Sequence, residues 1–126
     1  MPRLFAVQSA GCAPVVKAWV ARADHCEPWP DPETVASGLR VPAPLGGALM
    51  LRALRESGGG AVAVPDPELE DGARLMACQE GIDACPEGGA AVAAARRLLA
   101  GGAIGPADRL VVFNTGAGVL YGRDLK

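Results

Sequence analysis

Ala61-Val62-Ala63-Val64 is apolar at every position and lies between Gly58-Gly59-Gly60 and Pro65-Asp66. A strand with one wet face alternates apolar and polar side chains, so a short run with no alternation reads as a strand covered on both sides. Leu4-Phe5-Ala6-Val7 repeats the pattern and stops at Ser9-Ala10-Gly11. Arg109-Leu110-Val111-Val112-Phe113 gives a third candidate, ending in Asn114-Thr115-Gly116-Ala117-Gly118. Helical periodicities separate these runs. Strands of this kind alternating with helices imply an α/β fold, a partial three-layer sandwich whose mostly parallel sheet carries helices on both faces.

The first helix is expected from about Ala13, with Pro14 in its first turn and Val16, Trp19, Val20 and Ala23 at helical spacing. Residues 24–44 hold five prolines and read as an irregular surface excursion. Gly47, Met50, Leu51 and Leu54 then mark one face of an amphipathic helix closed by the glycines at 58–60. Asp66-Pro67 has start chemistry for another helix, with Asp66 as cap and Leu69, Ala73, Met76 and Ala77 inward, ending at Gly81. A last helix follows Pro86, with Ala91, Val92, Ala95, Leu98 and Leu99 expected inward.

A net charge of -2 and few aromatics give no footing for a nucleic-acid surface. No run of about 18 apolar residues occurs, so no membrane helix is expected, and nothing at Met1 to Phe5 resembles a signal peptide. A cytoplasmic setting is expected, with Cys12, Cys26, Cys78 and Cys85 as reduced thiols. No Cys-x-x-Cys pair accompanies the lone histidine, His25, so no metal site is assigned.

Several motifs dissolve on inspection. Gly58-Gly59-Gly60 follows a helix and precedes a strand, the reverse of a phosphate cradle. Gly116-Ala117-Gly118 has Tyr121 where a dinucleotide fingerprint needs its third glycine. Thr115, just past an apolar run and followed by Gly116, reads either as a turn residue bonded to backbone or as a hydroxyl aimed at a ligand over the sheet edge. Glu87, after Pro86, suits a helix start by charge alone. Only Lys17 and Lys126 could supply an amine, and neither follows a strand end or a Gly-rich loop.

Five segments occur in an order that resembles the C-terminal part of threonine synthase: residues 6–14, 34–39, 45–59, then Glu80-Gly81-Ile82 with Cys85-Pro86-Glu87-Gly88, and Val112 through Gly118. Threonine synthases belong to the type II, tryptophan-synthase-β-like fold of pyridoxal-phosphate enzymes. The resemblance implies pyridoxal 5'-phosphate as cofactor and a lyase that turns O-phospho-L-homoserine and water into L-threonine and phosphate. A threonine dehydratase or a cysteate synthase is the alternative within the class, and a non-catalytic α/β ligand- or partner-binding module the alternative outside it.

Carried over residue by residue, the resemblance places Thr115 at the cofactor's pyridine nitrogen, with Gly116 beside it. It places Glu87 near the ring and Ser9 in a loop beside the cofactor face. A neutral hydroxyl does not hold that nitrogen protonated as a carboxylate would, which restrains the electron sink. Where the family often reads Gly-Leu-Lys-Tyr, this chain has Gly118-Val119-Leu120-Tyr121. The Schiff-base lysine and the phosphate-binding loop of the family precede the matching region, so no catalytic residue is assigned here. Residues 1–126 are expected to be a single C-terminal segment of the large enzyme domain, from a truncated reading frame or a split enzyme, inactive alone. A small amino-acid substrate is expected for the complete enzyme, and self-association or pairing with the missing N-terminal half for this piece.

Overall fold

The computed structural model describes residues 1–122, and these fall into two compact units, the second beginning at Pro65. In the first, strand β1 (Phe5–Ser9) is followed by helix α1 (Pro14–Val20), the irregular stretch with a short 3-10 helix at Ser37–Leu39, helix α2 (Gly47–Ser57) and strand β2 (Gly60–Val64). The strands pair in parallel, Phe5 opposite Gly60 through Ser9 opposite Val64. This is the α/β class with a parallel sheet that the apolar runs imply. Val15, Ala18, Leu51 and Leu54 form the core between the two helices, closed by Ala6 and Ala61, which are partners across the sheet. Burying two leucines and a valine there supplies about 2 kcal/mol each.

The strands are less covered than their composition suggests: both are half-buried until their last residues, Ser9 and Val64, which are fully buried. Helix α1 also turns differently from its apolar pattern. Val15 and Ala18 face the core, while Val20 is exposed. Its first turn has no cap from its own N-cap residue, Ala13. Gln8 reaches across from β1 instead, and its Oε1 accepts from the N–H of Val15 at 2.9 Å and of Val16 at 3.1 Å. Helix α2 ends as expected, with Gly58 at a left-handed φ of 66° and the Gly59 N–H on the Leu54 carbonyl.

The second unit is built on helices α3 (Asp66–Glu80) and α4 (Pro86–Ala100). Asp66 is the first helical residue rather than the cap. Pro65 takes the cap position with extended backbone, φ -65° and ψ 150°, which moves Pro67 to the second helical position. On α3, Leu69, Gly72 and Ala73 are buried and Ala77 is exposed. On α4 the buried side is Ala90, Ala93 and Ala94 with Gly88 and Gly89, and Leu99 is exposed. The expected apolar stripe on α4 is therefore displaced. The helices touch backbone to backbone, because a Cβ on Gly72 would stand 2.2 Å from the Gly89 oxygen, and only small residues can line such a contact.

The third strand candidate is not a strand. Residues 109–114 are irregular, with Val111 and Phe113 exposed, and no strand pairs with them among the described residues. Apolar, β-branched composition favours a strand only when a neighbour supplies the ladder. No helix among the described residues is long and apolar enough to cross a membrane.

Candidate functional site

Helix α4 begins at Pro86, and the residue before it, Cys85, caps it: the thiol sulfur accepts from the Gly88 N–H at 3.4 Å. Proline at the first helical position costs no hydrogen bond, since that N–H has no partner inside the helix. Glu87 follows, its carboxylate at the positive end of the helix. The segment leading into this turn is joined to the chain after residue 113. Ala84 and Ala117 form an antiparallel bridge, and the Cys85 N–H donates to the Gly116 carbonyl at 3.2 Å. The Cys85 thiol donates to Asn114 Oδ1 at 3.7 Å.

Asp83 holds the next residues twice. Its carbonyl accepts from the Gly118 N–H at 2.9 Å, and its Oδ2 accepts from the Val119 N–H at 2.8 Å. Gly118 opens a short 3-10 helix, Gly118–Tyr121. A Cβ there would lie 2.1 Å from Asp83 Oδ1, so glycine is required for this packing. Tyr121 ends the turn, and its OH donates to Glu87 Oε1 at 2.6 Å.

Thr115 is exposed within this loop, between the anchored Asn114 and Gly116. The structure thus brings Thr115, Gly116 and Glu87 to one place at the start of α4. Asn114 opens the loop that the sequence pattern marks, whereas Asp83 and Tyr121 are parts of that place which the pattern does not mark. Asp83 was legible only as a turn residue after Gly81, and Tyr121 only through the final tyrosine of the Gly-Leu-Lys-Tyr pattern.

Ser9 belongs to the first unit. It is fully buried, its Oγ accepts from the Gly11 N–H at 3.2 Å, and its carbonyl accepts from the Cys12 N–H at 3.0 Å. The turn it starts is tight: a Cβ on Gly11 would stand 1.8 Å from the Glu33 oxygen, and the Glu33 N–H donates to the Gly11 carbonyl. Lys17 projects from α1 with its side chain more than half exposed, 3.7 Å from Glu27 Oε2. Lys126 lies outside the described residues. All four cysteines are free thiols, and no cluster of His, Cys, Asp or Glu suited to a metal occurs among the described residues.

The family model described as pyridoxal-phosphate dependent enzyme matches residues 1–116. The threonine synthase of Methanocaldococcus jannaschii is 34% identical over 119 residues, covering 94% of this chain and 29% of that protein. The threonine synthase of Methanosarcina acetivorans is 37% identical over 116 residues, covering 92% of this chain and 29% of that protein. The chain therefore spans less than a third of the length of these relatives. Maize serine racemase superposes with a TM-score of 0.62 at 22% identity, over 74% of this chain and 27% of that one. A T.th. threonine deaminase superposes with a TM-score of 0.61 at 22% identity, over 81% of this chain and 35% of that one. At that identity the two superpositions show the shared fold alone.

Proposed function

This chain belongs to the family of pyridoxal-phosphate dependent enzymes, and on that premise we propose that it is the C-terminal segment of a threonine-synthase-like enzyme. Residues 1–126 would form part of the large domain, and the whole enzyme would convert O-phospho-L-homoserine and water into L-threonine and phosphate. The two archaeal relatives named threonine synthase support this reading. The observation that carries it is Thr115, exposed on a loop fixed on both sides against the first turn of α4.

The residues present fit one side of the cofactor. When bound, pyridoxal phosphate supplies an electron sink for the amino-acid substrate. In the resemblance, the Thr115 hydroxyl would hydrogen-bond the ring nitrogen and leave it without a formal charge partner. Gly116 keeps the backbone under that hydroxyl against Cys85, where a Cβ would already stand 3.4 Å from the sulfur. By the same resemblance, the turn begun by Ser9 would border the cofactor face in the complete enzyme. Covalent anchoring needs a lysine amine at the site, and Lys17 is engaged with Glu27 on an exposed helix flank. The resemblance would put the anchoring lysine upstream of the matching region. An open, mostly apolar groove of about 480 Å³ along α1, lined by Val16, Lys17, Val20, Trp29 and Ala63, would give such upstream polypeptide a place to pack.

Two measurements test the reading. Borohydride treatment of the full chain with pyridoxal phosphate should leave Lys17 without stoichiometric label on peptide mapping. Stoichiometric labelling there would refute the assignment of the lysine elsewhere. A chimera carrying this chain in place of the matching segment of the Methanocaldococcus jannaschii enzyme should release phosphate from O-phospho-L-homoserine. A folded, cofactor-loaded chimera that releases none would remove the threonine-synthase assignment.

A further inference from the structure

Glu87 sits poorly for a side chain that would touch the cofactor. Its Oε1 takes the phenolic hydrogen bond of Tyr121 at 2.6 Å, and its Oε2 is out of solvent's reach. Along the loop the fastenings run in sequence: Asn114 and Gly116 to Cys85, Gly118 and Val119 to Asp83, Tyr121 to Glu87. Asp83 holds the start of the 3-10 turn and Glu87 its end, so the turn is pinned between two carboxylates.

We propose that Glu87 is a positioning residue: it acts through Tyr121 to hold the 114–121 loop, and with it the Thr115 hydroxyl, and does not itself touch the cofactor. This rests on the reading of Thr115 given above. It replaces the direct contact between Glu87 and the ring that the resemblance implies. Freed from Glu87, the turn loses its far anchor, its Asp83 bonds open more often, and the hydroxyl loses the fixed geometry that productive binding needs.

The test uses the full chain and three variants, Tyr121→Phe, Glu87→Gln and Glu87→Ala, with amide hydrogen exchange followed by NMR. Losing one such bond should speed exchange at Gly118 and Val119 roughly tenfold in Tyr121→Phe and Glu87→Ala. Ala73 in α3 should keep its rate. Glu87→Gln keeps an acceptor oxygen and should stay within about twofold of the unaltered chain. Induced circular dichroism of pyridoxal phosphate in the chimera described above, and in the same three variants of it, gives the second readout. Glu87→Gln should match the unaltered chimera, while Tyr121→Phe and Glu87→Ala bind several-fold more weakly. Unchanged exchange in Tyr121→Phe overturns the proposal. So does an equal rise at Ala73, which would mean general unfolding. A dichroism loss in Glu87→Gln equal to that in Glu87→Ala, with Tyr121→Phe silent, puts the carboxylate on the cofactor and also overturns it. If the unaltered chimera folds but gives no dichroism, the reading of Thr115 fails separately, and the exchange rates alone decide the clamp.

Discussion

Gly72 and Gly89 lie against each other where α3 meets α4, so close that a Cβ on Gly72 would stand 2.2 Å from the Gly89 carbonyl oxygen. A Cβ on Gly89 would stand 2.0 Å from the Leu69 oxygen. Both obstacles are backbone and neither can swing aside. Gly89→Val should therefore push the helices apart and cost about 2 kcal/mol, read as a lower urea midpoint with little change in slope. An unchanged midpoint would mean that the helices do not meet at these glycines.

Gln8 does for α1 what a capping serine does elsewhere, from a strand rather than from the preceding residue. Gln8→Ala leaves two N–H groups at the helix start without their acceptor and should cost about 1 kcal/mol. Gln8→Glu keeps the oxygen and should retain most of that stability. Equal losses in the two variants would show that the amide matters for something other than the cap.

The ion pair between Glu68 on α3 and Arg97 on α4 gives a pH signature. Hydrogen bonding to Arg97 holds the Glu68 carboxyl below the usual carboxylate range. A value depressed by folding means stabilisation that is complete above the unfolded value of about 4.3 and fades as pH falls through the lower, folded one. Arg97→Gln should melt below the unaltered chain at pH 7, and the gap should close in acid. A gap constant from pH 7 to pH 2 would contradict this.

Alkylation should rank the thiols. Cys78 is exposed and should react first with iodoacetamide at pH 8. Burial pushes the Cys26 thiol up, so less of the reactive thiolate is present and modification lags. Cys12 and Cys85 are buried and should react only as the chain opens. Peptide mapping over time reads the order, and early loss of Cys85 would show that the α4 cap is not closed.

The parallel pairing of β1 and β2 and the ends of α2 and α3 were legible because they follow local rules: apolar runs without alternation, proline at a helix start, glycine at a helix end. The inward face of α4 was not. Its leucines carry the stronger hydrophobic signal, yet the backbone contact at Gly89 selects Ala90 and Ala93. Residues 109–113 misled for a related reason, since a strand is a property of two segments and composition describes one. Thr115 and Glu87 could be singled out, but Tyr121 and Asp83 could not be tied to them, because those bonds join residues more than thirty apart in sequence.

The sheet pairs Phe5 with Gly60, and everything from α1 through α2 lies between. Not one rung of that ladder can form until the ribosome has delivered residue 60, and closing so long a span precedes any reward from pairing. During synthesis the edge of β1 that β2 will take stays open until then, so the emerging segment is most vulnerable to wrong pairing there just before β2 arrives.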